Sequence, residues 1–408
     1  MSQYIIKCAR HISYWSIVLI PFSISVAPPF TYTCMGFLAF SFLLKKVLRK
    51  EKLFLPNPLY IPLALLFLIS LISFRNSVDY HASMIGIRKL FINVFMFLIC
   101  AQEIKDKRHV AAIAFAVVCG GVLASFDAVW QVAFGRDFIR SYAPILNIGL
   151  KRATAAFPDS NVLGIYLSVI IPLIAGLALF YFKGRQKILM LGATILVLAG
   201  IILTFARGTA LAVFFSIFFI SICRKNKIVP LIFLSILLIF LFVMPKGIKD
   251  WARQVNYNPV RFMLNDDRIS IYRNAINMIK QHPFIGVGVN TFAKNYLKYK
   301  LPEPEGAKTG DTMYAHNHFL HMAGEIGLLG LGVFFWMLFR LFKRGAYIYR
   351  NIKDDYLKIV SLSVAACLIA FLINGLTETS LYYARVAMIF WYMAGFYLAL
   401  ENEYPRCS

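Results

Sequence analysis

The chain has 408 residues, 60% of them hydrophobic and 15% charged, with a formal net charge of +24. A soluble domain of this length does not carry so much apolar residue, so the composition excludes a soluble globular protein and points to an integral membrane protein. The basic excess sits mostly in short loops between apolar runs, where it sets membrane orientation, and no basic region stands free of those runs; both facts argue against nucleic-acid binding.

The apolar runs are continuous over about 18–22 residues rather than alternating, which selects spanning helices over an outer-membrane barrel. Lys7 and Arg10 precede the first run as in a signal peptide. Pro28-Pro29 stands where a cleavage site would be expected, so the first run is read as a retained helix. About twelve spans follow from the ~20-residue criterion. Their approximate limits are 12–30, 31–48, 58–74, 85–101, 110–134, 160–182, 188–205, 208–223, 228–244, 317–340, 357–374 and 381–400.

Lysine and arginine fall on alternate connections. Lys45 to Lys50, Lys105 to Arg108, Lys183 to Lys187, Arg224 to Lys227 and Arg340 to Lys358 share one side, which the positive-inside rule makes cytoplasmic, together with both termini. The segments 75–84, 135–159, 206–207, 245–316 and 375–380 then face the other, periplasmic side. The fold class is therefore all-α and polytopic: nine helices over 1–244, a large, partly helical periplasmic loop domain over 245–316, and three helices with a cytoplasmic tail over 317–408. The seven cysteines form no CxxC pair and none lies in the long loop, which argues against a disulfide framework or a zinc site.

Three elements on the outer side carry chemistry. The first is Leu203 to Thr209, which places Arg207 between two spans with almost no loop. A cation at that depth needs a partner, or serves as an interfacial anchor. The second is an amphipathic helix over 267–281, capped by Asp266 or Asp267 and ended by His282-Pro283. Its wheel puts Arg268 in line with Tyr272, Ala275 and Ile279, the apolar stripe, and Arg273, Asn277 and Lys280 on the polar face. A cation at a helix N-terminus opposes the dipole, which a phosphate held jointly by Arg268 and the free N–H groups would resolve; a pair with Asp266 is the structural alternative. The third is His316-Asn317-His318-Phe319-Leu320-His321 with Glu325 beyond. His316 suits a general base, Asn317 or a histidine can cap the following helix, and His318, His321 and Glu325 share a face that permits a metal.

Gly286 to Asn290 reads as a turn that returns the chain to the membrane rather than a nucleotide loop, because it follows a helix and lacks a third glycine. No Walker, HExxH or GxSxG motif occurs, and scarce acids argue against a paired-carboxylate glycosidase. Arg88, Asp127 and Glu325 lie toward the outer half or at helix ends. They form no ionisable chain to the cytoplasm, which counts against a transporter or flippase.

Taken in order, these elements are Thr204 to Gly208, then Arg268 to Gly288 with its His282-Pro283, then Ala315 to Leu320 with Gly324-Glu325-Ile326-Gly327-Leu328-Leu329-Gly330. This order resembles the O-antigen ligase family, which also covers O-antigen polymerases and bacterial protein O-oligosaccharyltransferases. The likeness is strongest from about Arg152 to Leu331. It implies a C-type glycosyltransferase-like membrane fold in the bacterial inner membrane, a glycan donor on undecaprenyl pyrophosphate, a lipid A–core acceptor, and a reaction needing neither nucleotide nor metal. The family's two arginines map onto Arg207 and Arg268, which would hold the pyrophosphate. Its histidine maps onto His316, which would deprotonate the acceptor hydroxyl for an inverting displacement. Arg152, Pro158 and Asn161 resemble the family's segment before the sixth span; Arg152, Asn161, Tyr272, Arg273, Asn317 and His318 are the expected substrate-binding residues. Tyr314 stands where many members have a second histidine, and Ala206 where many have serine. A polymerase using the same donor is the alternative activity.

Overall fold

The computed structural model describes residues 2–147, 149–227, 231, 246–254, 256–258, 264–303 and 307–403. Among them the chain is almost entirely helical. The first group comprises α1 (Ser2–Val26), α2 (Pro28–Arg49), α3 (Tyr60–Ile72), α4 (Tyr80–Glu103), α5 (Lys107–Phe134), α6 (Ser160–Phe180), α7 (Gly184–Thr204) and α8 (Arg207–Cys223). Then come α9 (Lys246–Gln254), α10 (Asp266–Gln281) and the short α11 (Phe292–Asn295), followed by α12 (His318–Asn351), α13 (Asp355–Asn374) and α14 (Ala384–Ala399). Between α5 and α6 the chain forms a hairpin of two short antiparallel strands, β1 (Ile145–Asn147) and β2 (Leu150–Arg152), with Ile145 opposite Arg152.

Eleven of the twelve expected spans coincide with helices, and the ninth, 228–244, lies outside the described residues except for Leu231. Among the described residues seven helices, α2, α4, α5, α6, α7, α12 and α13, are long and apolar enough to cross a membrane, and the stretches Tyr60–Asn76 and Arg207–Cys223 are shorter apolar helices. The protein is an all-α, polytopic membrane protein. Its scarce acids mark where helices begin: Asp79, Asp106, Asp159 and Asp354 each cap a helix by accepting from a backbone N–H of the first turn. α6 is apolar on every face and buried along most of its length, so it forms the centre around which α5, α7, α8 and α13 pack.

The charged loops separate to two ends. At one end Lys45 pairs with Glu103, Lys107 with Asp354 at 2.6 Å and Arg344 with Glu401, and Asn402 donates to the carbonyls of Ala101 and Ile104. At the other end the turn between α3 and α4 receives the long loop: Asn76 donates to the Gly286 carbonyl and Asn290 to that of Ala82, both at 2.8 Å. There α10 packs through Ile271, Ala275 and Met278 onto Val287, Phe292, Tyr296, Tyr299 and Ala315, a small apolar core of its own.

The turn at Gly286–Asn290 meets a break in α12. Gly327 has φ 71° and ψ 178°, which opens the helix so that Val287 N–H donates to the Gly324 carbonyl and Gly288 N–H to that of Glu325. A side chain at Gly327 would place its Cβ 2.0 Å from the Phe284 carbonyl oxygen, so backbone contacts backbone at this joint.

Candidate functional site

Three chain reversals at this end converge. The first joins α7 to α8 with almost no loop: Phe205 adopts a left-handed conformation (φ 50°), which turns the chain so that Arg207 opens α8. Gly208 follows because a Cβ there would lie 2.0 Å from the Thr377 hydroxyl. The second is the start of α10, where the Asn265 side chain accepts from Arg268 N–H. This corrects the expectation that Asp266 or Asp267 caps the helix; both lie in its first turn, where their charge favours the dipole. The third is the entry to α12. Asn317 caps it by accepting from the N–H groups of Phe319 and Leu320, and His316 before it is held at φ 44°, a strained left-handed conformation.

The residue that ties these reversals together is Glu378, in the connection from α13 to α14. One of its carboxylate oxygens, Oε1, accepts from Arg268 Nη2 and, at 3.0 Å, from Asn161 Nδ2. The other, Oε2, lies 3.2 Å from His316 Nδ1. Asn161 in turn accepts from Arg152 Nη2 at 2.7 Å, while Arg152 Nε donates to the Thr204 carbonyl at 2.8 Å. The Glu378 side chain is only 6% exposed. Arg152, Arg207, Arg268, Asn161, Gly208, Thr377 and Glu378 line one cavity of about 80 Å³, floored by Thr209 and Asn374, and His316 stands at its edge across Glu378.

The electrostatics follow from this inventory. Three guanidinium charges less one carboxylate leave the cavity two positive charges in excess. Burial lowers the Arg152 guanidinium from its ordinary value against the opposing pull of Asp159 and Glu378, with Arg268 adding to the lowering. An ionised carboxylate can only accept, so Glu378 fixes the proton of His316 on Nδ1 and leaves the lone pair on Nε2. Tyr272, whose hydroxyl burial pushes up to about 12, stays a donor; it lies 2.9 Å from the His316 carbonyl and 3.0 Å from that of Leu376. Asn317 Nδ2 donates to the same Leu376 carbonyl. Such a site can bind an anion of two charges and accept a proton beside it.

Of the residues singled out in the sequence, Arg152, Asn161, Arg207 and Arg268 line the cavity, His316 bonds to its carboxylate, and Tyr272 and Asn317 brace the backbone that carries His316. The partner of Arg268 is Glu378, not the Asp266 considered from sequence. Arg273 is exposed and His318 is elsewhere: its ring packs between Phe319 and Phe334 and borders a different cavity of about 130 Å³, with Lys89, His321, Glu325 and Tyr382. His321 pairs with Glu325 at 3.1 Å, and among the described residues no group of three or more His, Cys, Asp or Glu is placed to hold a metal ion. Tyr314 bonds to the Tyr382 hydroxyl at 2.8 Å rather than to the arginine cavity.

The α10 stripe also differs from the wheel. Its buried residues are Ser270, Ile271, Asn274, Ala275 and Met278, because the helix leans on its own small core; Arg268 and Tyr272 are thereby half-buried at the rim, facing Glu378 and Leu376. Glu378 itself has no periodic or motif context in the sequence. The available signal was that it is the single acidic residue in an outer connection, 375–380, opposite several arginines.

Fold and site together define a multi-pass helical membrane protein with a buried, cation-rich cavity and an oriented imidazole at one end, an arrangement suited to group transfer from an anionic donor. A family model described as O-antigen ligase matches residues 192–335, so this part of the chain is similar to that family. The matched segment contains Arg207, Arg268 and His316, whereas Arg152, Asn161 and Glu378 lie outside it. No curated protein matches the chain.

Proposed function

We propose that this protein transfers a glycan from undecaprenyl pyrophosphate to a hydroxyl of a lipid A–core oligosaccharide. The reaction takes place on the periplasmic face of the bacterial inner membrane, with both termini cytoplasmic and 245–316 as a periplasmic loop domain. The observation that carries this reading is the cavity in which three guanidinium groups meet a carboxylate that also orients His316.

The acceptor hydroxyl oxygen attacks the anomeric carbon of the donor's first sugar. The bond from that carbon to the phosphate oxygen breaks, and its electron pair leaves with undecaprenyl pyrophosphate. The hydroxyl proton passes to His316 Nε2, and Glu378 steadies the resulting imidazolium through Nδ1. Arg207 and Arg268, with Arg152 behind them, stabilise the charge that develops on the departing diphosphate in a site of low dielectric. Glu378 offsets the charge of Arg268 alone, and an arriving diphosphate takes over part of that guanidinium. A single direct displacement inverts the anomeric centre.

The test is transfer in proteoliposomes supplied with lipid-linked glycan and a core acceptor, with products separated on a gel. The ligase reading predicts long chains on the acceptor, full activity in the presence of a chelator, and loss of both in the Arg268→Ala variant. Chains that lengthen only on the lipid carrier would mean a polymerase, and full transfer by Arg268→Ala would remove the pyrophosphate role.

A further inference from the structure

A second cavity lies beside the first and has no part in the chemistry above. It measures about 720 Å³ and is lined by Arg140, Ser141, Tyr142, Thr154, Phe157 and Arg385, with Pro28, Pro158, Val162 and Tyr383 closing its sides. The two cavities share their walls. Arg152 faces one and Thr154 the other; Asn161 and Val162 divide the same way at the start of α6, as do Glu378 and Tyr383 across the turn into α14.

Its lining carries two guanidinium groups and no carboxylate. Arg385 is 5% exposed; it lies over the Phe157 ring at 4.7 Å and donates from Nη1 to the Ala156 carbonyl at 2.9 Å. Among the described residues neither Arg385 nor Arg140 forms an ion pair, and Arg140 reaches only the Tyr142 hydroxyl and ring. The acid nearest in sequence, Asp137, is already committed: its carboxylate accepts from the N–H groups of Ile139, Arg140 and Tyr142. A buried guanidinium without a counter-charge is costly unless an anion joins it.

The loop that presents these groups is built rather than loose. Asp127, buried in α5, accepts from Phe138 N–H. Gln131, also buried, accepts from the N–H groups of Thr154 and Ala155 and donates to the Thr154 hydroxyl and the Tyr142 carbonyl. Ser141 and Ala155 are held in left-handed conformations at φ 62° and 47°, strain that this buried frame sustains beside the cavity. The volume exceeds that of the arginine–glutamate cavity several-fold and admits a sugar ring, with Tyr142 and Tyr383 offering hydroxyls and ring faces.

We infer that this cavity is a second anion site, which holds a sugar bearing a phosphate or carboxylate group so that its neighbouring residue reaches the arginine–histidine cavity. This rests on the proposed glycan transfer. The anionic sugar belongs either to the acceptor oligosaccharide or to the donor glycan, and the experiment separates the two sources.

The experiment titrates the purified full chain in nanodiscs with phosphorylated core oligosaccharide, enzymatically dephosphorylated core, and lipid-linked glycan with and without an acidic sugar. It does so for the wild type, Arg140→Ala and Arg385→Lys. Arg140 is half-buried and its side chain reaches only Tyr142 among the described residues, so its variant is expected to keep the fold if the Arg385 variant does not. The expected result is that Arg140→Ala weakens binding of the phosphorylated core at least about tenfold and leaves dephosphorylated core unchanged. The same loss confined to the acidic donor assigns the site to the donor instead. Equal binding of all four ligands by wild type and Arg140→Ala overturns the inference. It does so without touching the transfer reaction, whose failure would appear as unimpaired transfer by Arg268→Ala.

Discussion

At the scale of single residues, Glu378 decides how the site works. It neutralises Arg268, holds Asn161 and fixes the tautomer of His316, so its charge matters more than its shape. Glu378→Gln keeps the shape, but its amide turns a donor toward Nδ1 or leaves the ring unfixed. Turnover is expected to fall by about 10²-fold or more, because general-base catalysis depends on the correct protonation state. Donor binding should hold or tighten, since the competing carboxylate is gone; single-turnover transfer with a donor-binding curve separates the two. Arg268→Lys keeps the charge and loses the fork that can meet Glu378 and a diphosphate together, so transfer should drop by about tenfold with a raised donor KM. Arg207, Arg268 and His316 stood out in the sequence as cations or an imidazole beside apolar runs, and the structure places both arginines in one cavity with His316 bonded to its carboxylate. Glu378 was not: one glutamate in a short turn carries no pattern, and only the meeting of α6, α10 and the α13–α14 turn gives it a role. His318 failed for the opposite reason. It adjoins His316 in sequence, but the cap at Asn317 starts a helix there and turns its ring to another cavity.

At the scale of elements, two glycines set how closely the reversals approach. Gly208→Ala would press a methyl group onto Thr377 and part α8 from the turn that carries Glu378. The expected cost is about 1–3 kcal/mol of stability together with a fall in transfer, partly relieved by adding Thr377→Ala. Recovery in the double variant, read by thermal unfolding and transfer in the same preparation, checks the contact. Gly327→Ala faces both a backbone clash and a conformation open only to glycine, so it should lower the amount of folded protein in the membrane. The segment after α11 adds a pH-dependent clasp. Hydrogen bonds from the Thr309 hydroxyl and N–H, with Lys300 beside them, bring Glu303 from an ordinary 4.5 down to about 2. A depressed carboxylate stabilises above its unfolded value and loses that contribution as pH falls through its folded one. Hydrogen-exchange protection at Lys300–Glu303 and Thr309, taken relative to the intrinsic rate at each pH, is therefore expected to be full above about pH 4.5 and to fall toward pH 2. Protection that is level across that range would remove the clasp. Helix α10 was legible from its period, but its rotation was not, because the small core under it is made of residues up to Ala315 that no local wheel contains. The β1–β2 hairpin escaped the sequence because three-residue strands are too short to display alternation.

At the scale of the whole molecule, the length of the apolar runs foretold most of the helical architecture, since it is imposed by the bilayer rather than by tertiary detail, while the alternation of loop charge gives an expected orientation. The same alternation predicts that cysteines placed at Ser141 and Leu376, both exposed, react with a membrane-impermeant reagent from the periplasm, and one at Lys187 only after permeabilisation. The reverse pattern would turn the site toward the cytoplasm and remove its access to the proposed acceptor. The account rests most directly on His316 as the proton acceptor. In reconstituted membranes loaded with radiolabelled lipid-linked glycan, His316→Ala should retain donor binding and lose transfer to the core acceptor by about 10²–10⁴-fold. Transfer by that variant at the wild-type rate would contradict the account.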